Sequence, residues 1–286
     1  MAKLLEHPPV RPDYLVIKRR RGDERSIERI REHYLLERKL AAQLLCAPRA
    51  QRATVYRQVY SELFTSLPDH PQHTSDPSAA ELHAAVTYMN VDLASDATFL
   101  EIGCGDAAMC FAVADKVRHV YGLDVTDELI RHDKAPGNFV FLRTKSTNVD
   151  LPDDTVDVAY SNQLMEHLHP DDAQEQLKEI VRVLKRGGRY SCKTPSQVTG
   201  PHDVSEYFDY AATGFHLCEY TYVSIRRLFR RAGFRQIRFY VNTHGVGIPF
   251  PYWIARLVEM AMLTFPVLTR AKYLRNLMAL NVVATK

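Results

Sequence analysis

The sequence predicts an α/β fold, a doubly wound parallel sheet preceded by an N-terminal helical appendage, and three observations carry that expectation. From residue 98 onward, short apolar runs of strand length alternate with stretches of helical period. The first of these runs ends in a glycine turn, Gly103-Cys104-Gly105, and the next one ends in a lone carboxylate, Asp124. Residues 1–78 show only helical periodicity, followed by prolines.

Element by element, Asp23 to Cys46 reads as a helix with Ile27, Ile30, Tyr34, Ala41 and Leu44 on one side, stopped by Pro48. Ala50 to Phe64 reads as a second, with Val55, Val59 and Leu63 at fourfold spacing. Ser66 to Ser78, with Pro68, Pro71 and Pro77, is a linker, so a boundary near residue 78 separates the appendage from a domain over 79–286. Ala79 to Asn90 resumes helix before the first strand near Thr98. Thr126 can cap a helix running to Arg131, and Phe139 to Leu142 and Val156 to Ser161 are buried strands. Asp171 to Leu184 is a helix ended by Gly187-Gly188, followed by a strand over Arg189 to Lys193. Tyr222 to Ala232 is helical, and Phe234 to Val241 is a strand.

Composition narrows the function classes. The chain has 286 residues, 46% of them hydrophobic, enough for one full α/β domain with an appendage. Its formal charge of +3 is too small to argue for nucleic acid. The strongest basic cluster, Lys18-Arg19-Arg20-Arg21, is soon interrupted by Asp23 and Glu24 and reads as a solvated lead-in to a helix. Five cysteines without a C-x-x-C pair fit free thiols in a reducing compartment, and Met1 to Pro12 does not read as a signal peptide, so a cytoplasmic location is expected. His70 and His73, in a proline-rich loop without nearby acids, read as surface histidines.

The glycine turn is where chemistry enters. Gly103 and Gly105 can take φ > 0 and carry no Cβ, so a ligand can lie against the main chain and the amides opening the next helix. Asp124 at a strand end is placed to accept both ribose hydroxyls of a nucleoside. Gly103-Cys104-Gly105-Asp106-Ala107-Ala108 also satisfies the relaxed dinucleotide fingerprint, which keeps a nicotinamide enzyme in view. Glu101, two residues before the first glycine, favours an amino-acid ammonium over a pyrophosphate, which it would repel. Together, Glu101-Ile102-Gly103-Cys104-Gly105 and the strand ending in Asp124 resemble the first two motifs of class I S-adenosylmethionine-dependent methyltransferases. Leu151-Pro152, Val156 to Asn162, Arg182 to Tyr190, Arg231-Ala232-Gly233-Phe234 and Leu280 to Lys286 resemble its later elements. The resemblance implies a Rossmann-like seven-stranded sheet with an antiparallel last strand. It also implies S-adenosylmethionine held by Glu101, Gly103, Cys104, Gly105, Asp124, Val125 and Ser161. Where many members read the adenine amine with an acid or amide, this chain has Ser146-Thr147-Asn148.

Methyl transfer asks the protein for alignment and, for some acceptors, a base. His216, with Glu219 close enough to orient it, is the first candidate, and His167 the second. Members of the family with E-x-x-E-H after the fourth strand hold a divalent ion. Here the corresponding residues are Gln163, Glu166 and His167, and the amide in place of the first acid weakens hard-cation binding, so no metal is expected. The expected acceptor is a small, partly apolar molecule, not nucleic acid, and no membrane span is expected. The rivals are an NAD-type oxidoreductase and a non-catalytic member of the fold. Residues 242–276 form a long insertion whose apolar stretch Tyr252 to Phe265 holds the only tryptophan, Trp253, and is expected to serve either as a lid or as a core helix.

Overall fold

The computed structural model describes residues 7–69, 77–145, 147–265 and 272–286. Three helices lead: α1 (Tyr14–Arg21), α2 (Ile27–Cys46) and α3 (Arg49–Ser66). After α4 (Ala79–Thr87) the alternation begins with β1 (Thr98–Ile102), α5 (Ala108–Val113), β2 (His119–Asp124), β3 (Phe139–Arg143), β4 (Val156–Asn162), α6 (Pro170–Val183) and β5 (Leu184–Thr194). It continues with α7 (Tyr222–Ala232), β6 (Gln236–Thr243), β7 (Val246–Phe250), α8 (Tyr252–Thr264), α9 (Lys272–Leu277) and β8 (Leu280–Thr285).

The strands form one eight-stranded sheet in the order β3-β2-β1-β4-β5-β8-β6-β7. Pairing is parallel from β3 through β5, while β8 runs antiparallel to both β5 and β6. The expected antiparallel last strand is therefore present. The count differs by one because a hairpin at His244-Gly245, both with positive φ, turns β6 back onto itself and adds β7 as an edge strand. Every residue of β1 is buried, as a strand covered on both faces requires. Because β2 lies on one side of β1 and β4 on the other, a crevice opens at their carboxyl ends, the topological switch point where such sheets bind ligands.

Three local expectations change. Thr126 to Arg131 is not a helix: Thr126 Oγ1 accepts from the Glu128 amide and closes a turn, and six residues are too few to hold a helix without packing. Lys18 to Arg21 is the last turn of α1 rather than a lead-in before a helix, with Arg19, Arg20 and Arg21 exposed. Arg20 and Arg21 both engage Glu206, whose carboxylate is buried, and Arg21 also donates to His202 O at 2.9 Å. Two of these exposed charges thus pair with an acid far along the chain. Finally, β5 begins at Leu184 and runs through Gly187-Gly188, with the register against β4 shifting between Val156 and Val158.

The leading helices do not stand apart. Arg52 on α3, 7% exposed, donates to Asp172 at 2.8 Å, Asp171 at 3.1 Å and Ala47 O at 3.1 Å, which fastens α3 to the first turn of α6. Tyr56 adds a bond to Asp172 and accepts from the His169 amide at 2.7 Å. The boundary expected near residue 78 adjoins residues 70–76, which, with His70, His73, Pro71 and much of the linker, lie outside the described residues. Helix α8 packs as a core helix, burying Ala255 and Met262, while Glu259, 1% exposed, accepts from the Tyr222 amide at the start of α7 at 2.8 Å. Among the described residues no helix is long and apolar enough to cross a membrane.

Candidate active site

At the switch point lies a cavity of about 420 Å³. Its floor comes from the β1 turn (Gly103, Gly105, Asp106), the end of β2 (Leu123 to Thr126) and the segment after β4 (Asn162 to Leu164 and His167). Its roof comes from α2 and α3 through Glu37, Tyr56, Tyr60, Leu63 and Phe64, together with Phe215. None of the roof residues was anticipated as functional; the apolar spacing of α3 identifies a buried face without saying what the face covers.

The turn has the geometry that a nucleoside needs. Gly103 (φ 71°) donates to Leu123 O at 2.8 Å, and an added Cβ would sit 3.0 Å from Leu164. At Gly105 (φ 53°) the reason for glycine is conformational, since an added Cβ would meet nothing within 4 Å. Asp124 accepts from the Gly105 amide at 2.9 Å and from the Val125 amide at 2.7 Å, so two backbone donors aim the carboxylate at the cavity. Burial raises its pKa, although those amides partly oppose the rise. Thr147 lines the cavity, and its carbonyl accepts from Gln176 at 3.1 Å; Ser146 lies outside the described residues.

Other expected contacts are placed differently. The Ser161 side chain is fully buried against Tyr190 (2.6 Å), and the neighbouring Asn162 reaches the cavity instead, because side chains alternate along a strand. Cys104 turns its sulfur into the core, where it would lie 3.0 Å from a Cβ at Gly122. Glu101 sits beneath the turn, 6% exposed, and accepts from Cys110 Sγ at 3.1 Å without reaching the cavity wall. Burial raises its pKa from the ordinary 4.5 to about 8, an effect that Cys110 only partly opposes.

Behind the floor is a buried acid–imidazole network. His167 is the member on the cavity wall, whereas His216, the first candidate base, stands behind it, with ring centroids 4.9 Å apart. His216 Nδ1 pairs with Glu219 at 2.8 Å, and His167 Nδ1 with Phe215 O at 3.0 Å. Burial lowers the His216 pKa, but Glu219, Glu166 and Asp203 outweigh burial and raise it overall. Glu166 is fully buried; its pKa is pushed up to about 7 by burial, which His216 partly offsets. Glu166 Oε2 accepts from Thr194 at 2.9 Å, while Oε1 has no hydrogen-bond partner among the described residues. Nearby Glu37, also buried, is held below its ordinary value because His33 and the Phe215 amide overcome the cost of burial.

A parallel sheet with this strand order, a glycine turn and an amide-held acid at the switch point defines a nucleoside-binding α/β domain of the Rossmann-like class. Residues 100–192 match the family described as "Methyltransferase domain". A probable S-adenosylmethionine-dependent methyltransferase of Mycolicibacterium smegmatis is 32% identical over 150 residues, 52% of this chain and 56% of that protein. One from Mycobacterium tuberculosis is 28% identical over 147 residues, 51% and 52% of the two chains. The chain spans about half the length of these curated relatives. A putative methyltransferase of Haloferax volcanii, solved in complex with the Trm112 methyltransferase activator, shares the fold with a TM-score of 0.53 at 17% identity, over 86% of this chain and 96% of that one. Residues 100–192 therefore carry a methyltransferase domain resembling those of class I S-adenosylmethionine-dependent enzymes, whose cofactor is S-adenosylmethionine.

Proposed function

We propose that the protein transfers the methyl group of S-adenosylmethionine to a small, partly apolar molecule. The observation that carries this reading is a single cavity with a nucleoside-binding floor and an aromatic roof. S-adenosylmethionine supplies an electrophilic methyl on a sulfonium. Gly103 and Gly105 let it approach the backbone, and Asp124 accepts its ribose hydroxyls. The acceptor lies under Tyr60, Phe64 and Phe215, whose rings meet at centroid distances of 5.3 Å (Tyr60 to Phe215) and 6.1 Å (Tyr60 to Phe64). Alignment of the acceptor there supplies most of the rate. His167, held at Nδ1 by Phe215 O, faces the acceptor, while His216 stands behind it paired with Glu219, the reverse of the order expected from sequence. A cytoplasmic setting fits the five free cysteines, three of them buried.

Calorimetry with S-adenosylhomocysteine and with NAD tests the cofactor half of this reading: the first binds and the second does not. Tight NAD binding would restore the oxidoreductase alternative. A screen of hydroxylated and amine-bearing apolar acceptors with labelled cofactor tests the other half.

A further inference from the structure

The strongest unused feature is the cluster behind the cavity floor. One ligating atom from each of Glu166, His167 and His216 falls within 4.8 Å of the other two. Three further observations bear on what such a cluster holds. First, Glu166 Oε1 is buried with no hydrogen-bond partner among the described residues, and leaving a carboxylate oxygen in that state costs free energy that a bound cation would recover. Second, each imidazole is oriented through Nδ1, by Phe215 O in His167 and by the Glu219 carboxylate in His216. Acceptors at Nδ1 select the tautomer with its proton there and leave the lone pair on Nε2, the arrangement found in metal-ligating histidines supported by carbonyl and carboxylate partners. Third, His167 lines the cavity, so the cluster opens toward it.

We propose that Glu166, His167 and His216 bind a divalent first-row transition ion of the zinc or iron type, with its remaining coordination positions directed into the acceptor cavity. The donor set decides the class of ion. Replacement of an acid by Gln163 argues against a hard, all-oxygen cation such as Mg2+, but two imidazoles and one carboxylate suit a borderline ion with open positions. The inference deepens the methyl-transfer reading, on which the role of the ion rests, although the presence of the ion does not depend on it. An ion here selects acceptors with an ionisable hydroxyl or thiol. The acceptor's oxygen or sulfur coordinates the ion, its proton passes to water, and its electron pair forms the bond to the methyl carbon as the carbon–sulfonium bond breaks. His167 is then a ligand, and proton removal falls to water.

The full-length protein, stripped with chelator and dialysed, tests this with Co2+ as the probe. Calorimetry should show one equivalent bound per chain, with visible d–d absorption of low-symmetry Co2+. Glu166→Gln and His216→Ala should each weaken binding at least 100-fold, and Glu219→Gln, which acts through His216, roughly 10- to 100-fold. His132→Ala, at an exposed histidine, should change nothing. Each variant is also titrated with S-adenosylhomocysteine, so a misfolded variant shows itself by losing the cofactor. Wild-type protein that binds S-adenosylhomocysteine but takes up no more Co2+ than Glu166→Gln overturns the metal site and leaves the methyl-transfer reading intact. Protein that binds Co2+ but not S-adenosylhomocysteine overturns the methyl-transfer reading alone.

Discussion

Glu101 is a buried carboxyl group and Asp124 a half-buried one near the same turn, and their surroundings give them different work. Asp124 spends lone pairs on the Gly105 and Val125 amides, which fix its direction while the carboxylate still meets the cavity. Asp124→Ala is expected to weaken S-adenosylhomocysteine binding by about 1.5 to 3 kcal/mol, the range for a hydrogen bond to a charged group, with the fold retained by circular dichroism. Glu101 has no such amides, and burial keeps its carboxyl protonated up to about pH 8. A carboxyl whose folded pKa is raised binds more protons in the native state between its ordinary 4.5 and about 8. Stability is therefore greatest below that window and is lost as pH rises through it. Urea titrations without cofactor should show the wild type losing on the order of a few kcal/mol more than Glu101→Gln between pH 5 and pH 8. Equal slopes for the two proteins would show that Glu101 stays ionised.

At the scale of elements, α8 takes the second of the two parts its sequence allows, and α3 takes the covering part. The apolar run of α8, with Trp253, is the natural candidate for a lid, yet its Ala255, Glu259 and Met262 face α7 and the sheet core, and Trp253 stays 65% exposed. None of α8 lines the cavity, whereas α3 places Tyr56, Tyr60, Leu63 and Phe64 over it. Trp253 emission is accordingly expected to resemble that of an exposed indole and to stay unchanged when S-adenosylhomocysteine saturates the protein; a shift would bring α8 back to the site. Arg52 is the fastening of α3. Removing one partner of a buried pair strands the other, so Arg52→Ala should cost about 3 to 5 kcal/mol in denaturant unfolding. Acceptor KM should rise with it, because the roof shifts against α6.

For the molecule as a whole, the site is assembled from three separate stretches of the chain: the roof from residues 37–64, the nucleoside floor from 102–126 and the far wall from 162–215. Ligand that binds only this assembly stabilises all of it. Thermal unfolding with S-adenosylhomocysteine at about 100 times its Kd should gain roughly 2.7 kcal/mol, and NAD at the same concentration should gain nothing. An unchanged midpoint with S-adenosylhomocysteine would deny the cofactor site.

What the chain determines locally could be read from it directly. Strand periodicity, the φ > 0 glycines at 103 and 105 and an acid closing β2 are short-range features, because the backbone conformations and side-chain types that they need are encoded within a few residues. Helices such as Tyr222–Ala232 were legible for the same reason, with Thr221 capping one end and Gly233 the other. Contacts between distant segments were not legible. Periodicity marks an apolar face without naming its partner, so α3 as roof and α8 as core helix emerge only from packing. Alternation along β4 decides that Asn162 and not Ser161 meets the cavity, and that depends on register against β5. The convergence of Glu166 and His167 with His216 is tertiary as well, since the loop carrying His216 is tied back by its bonds to Glu219 and Asp203. Spacing along a chain carries no distance across a fold, and burial, which sets the protonation of Glu101 and Glu166, exists only once the fold has closed over them.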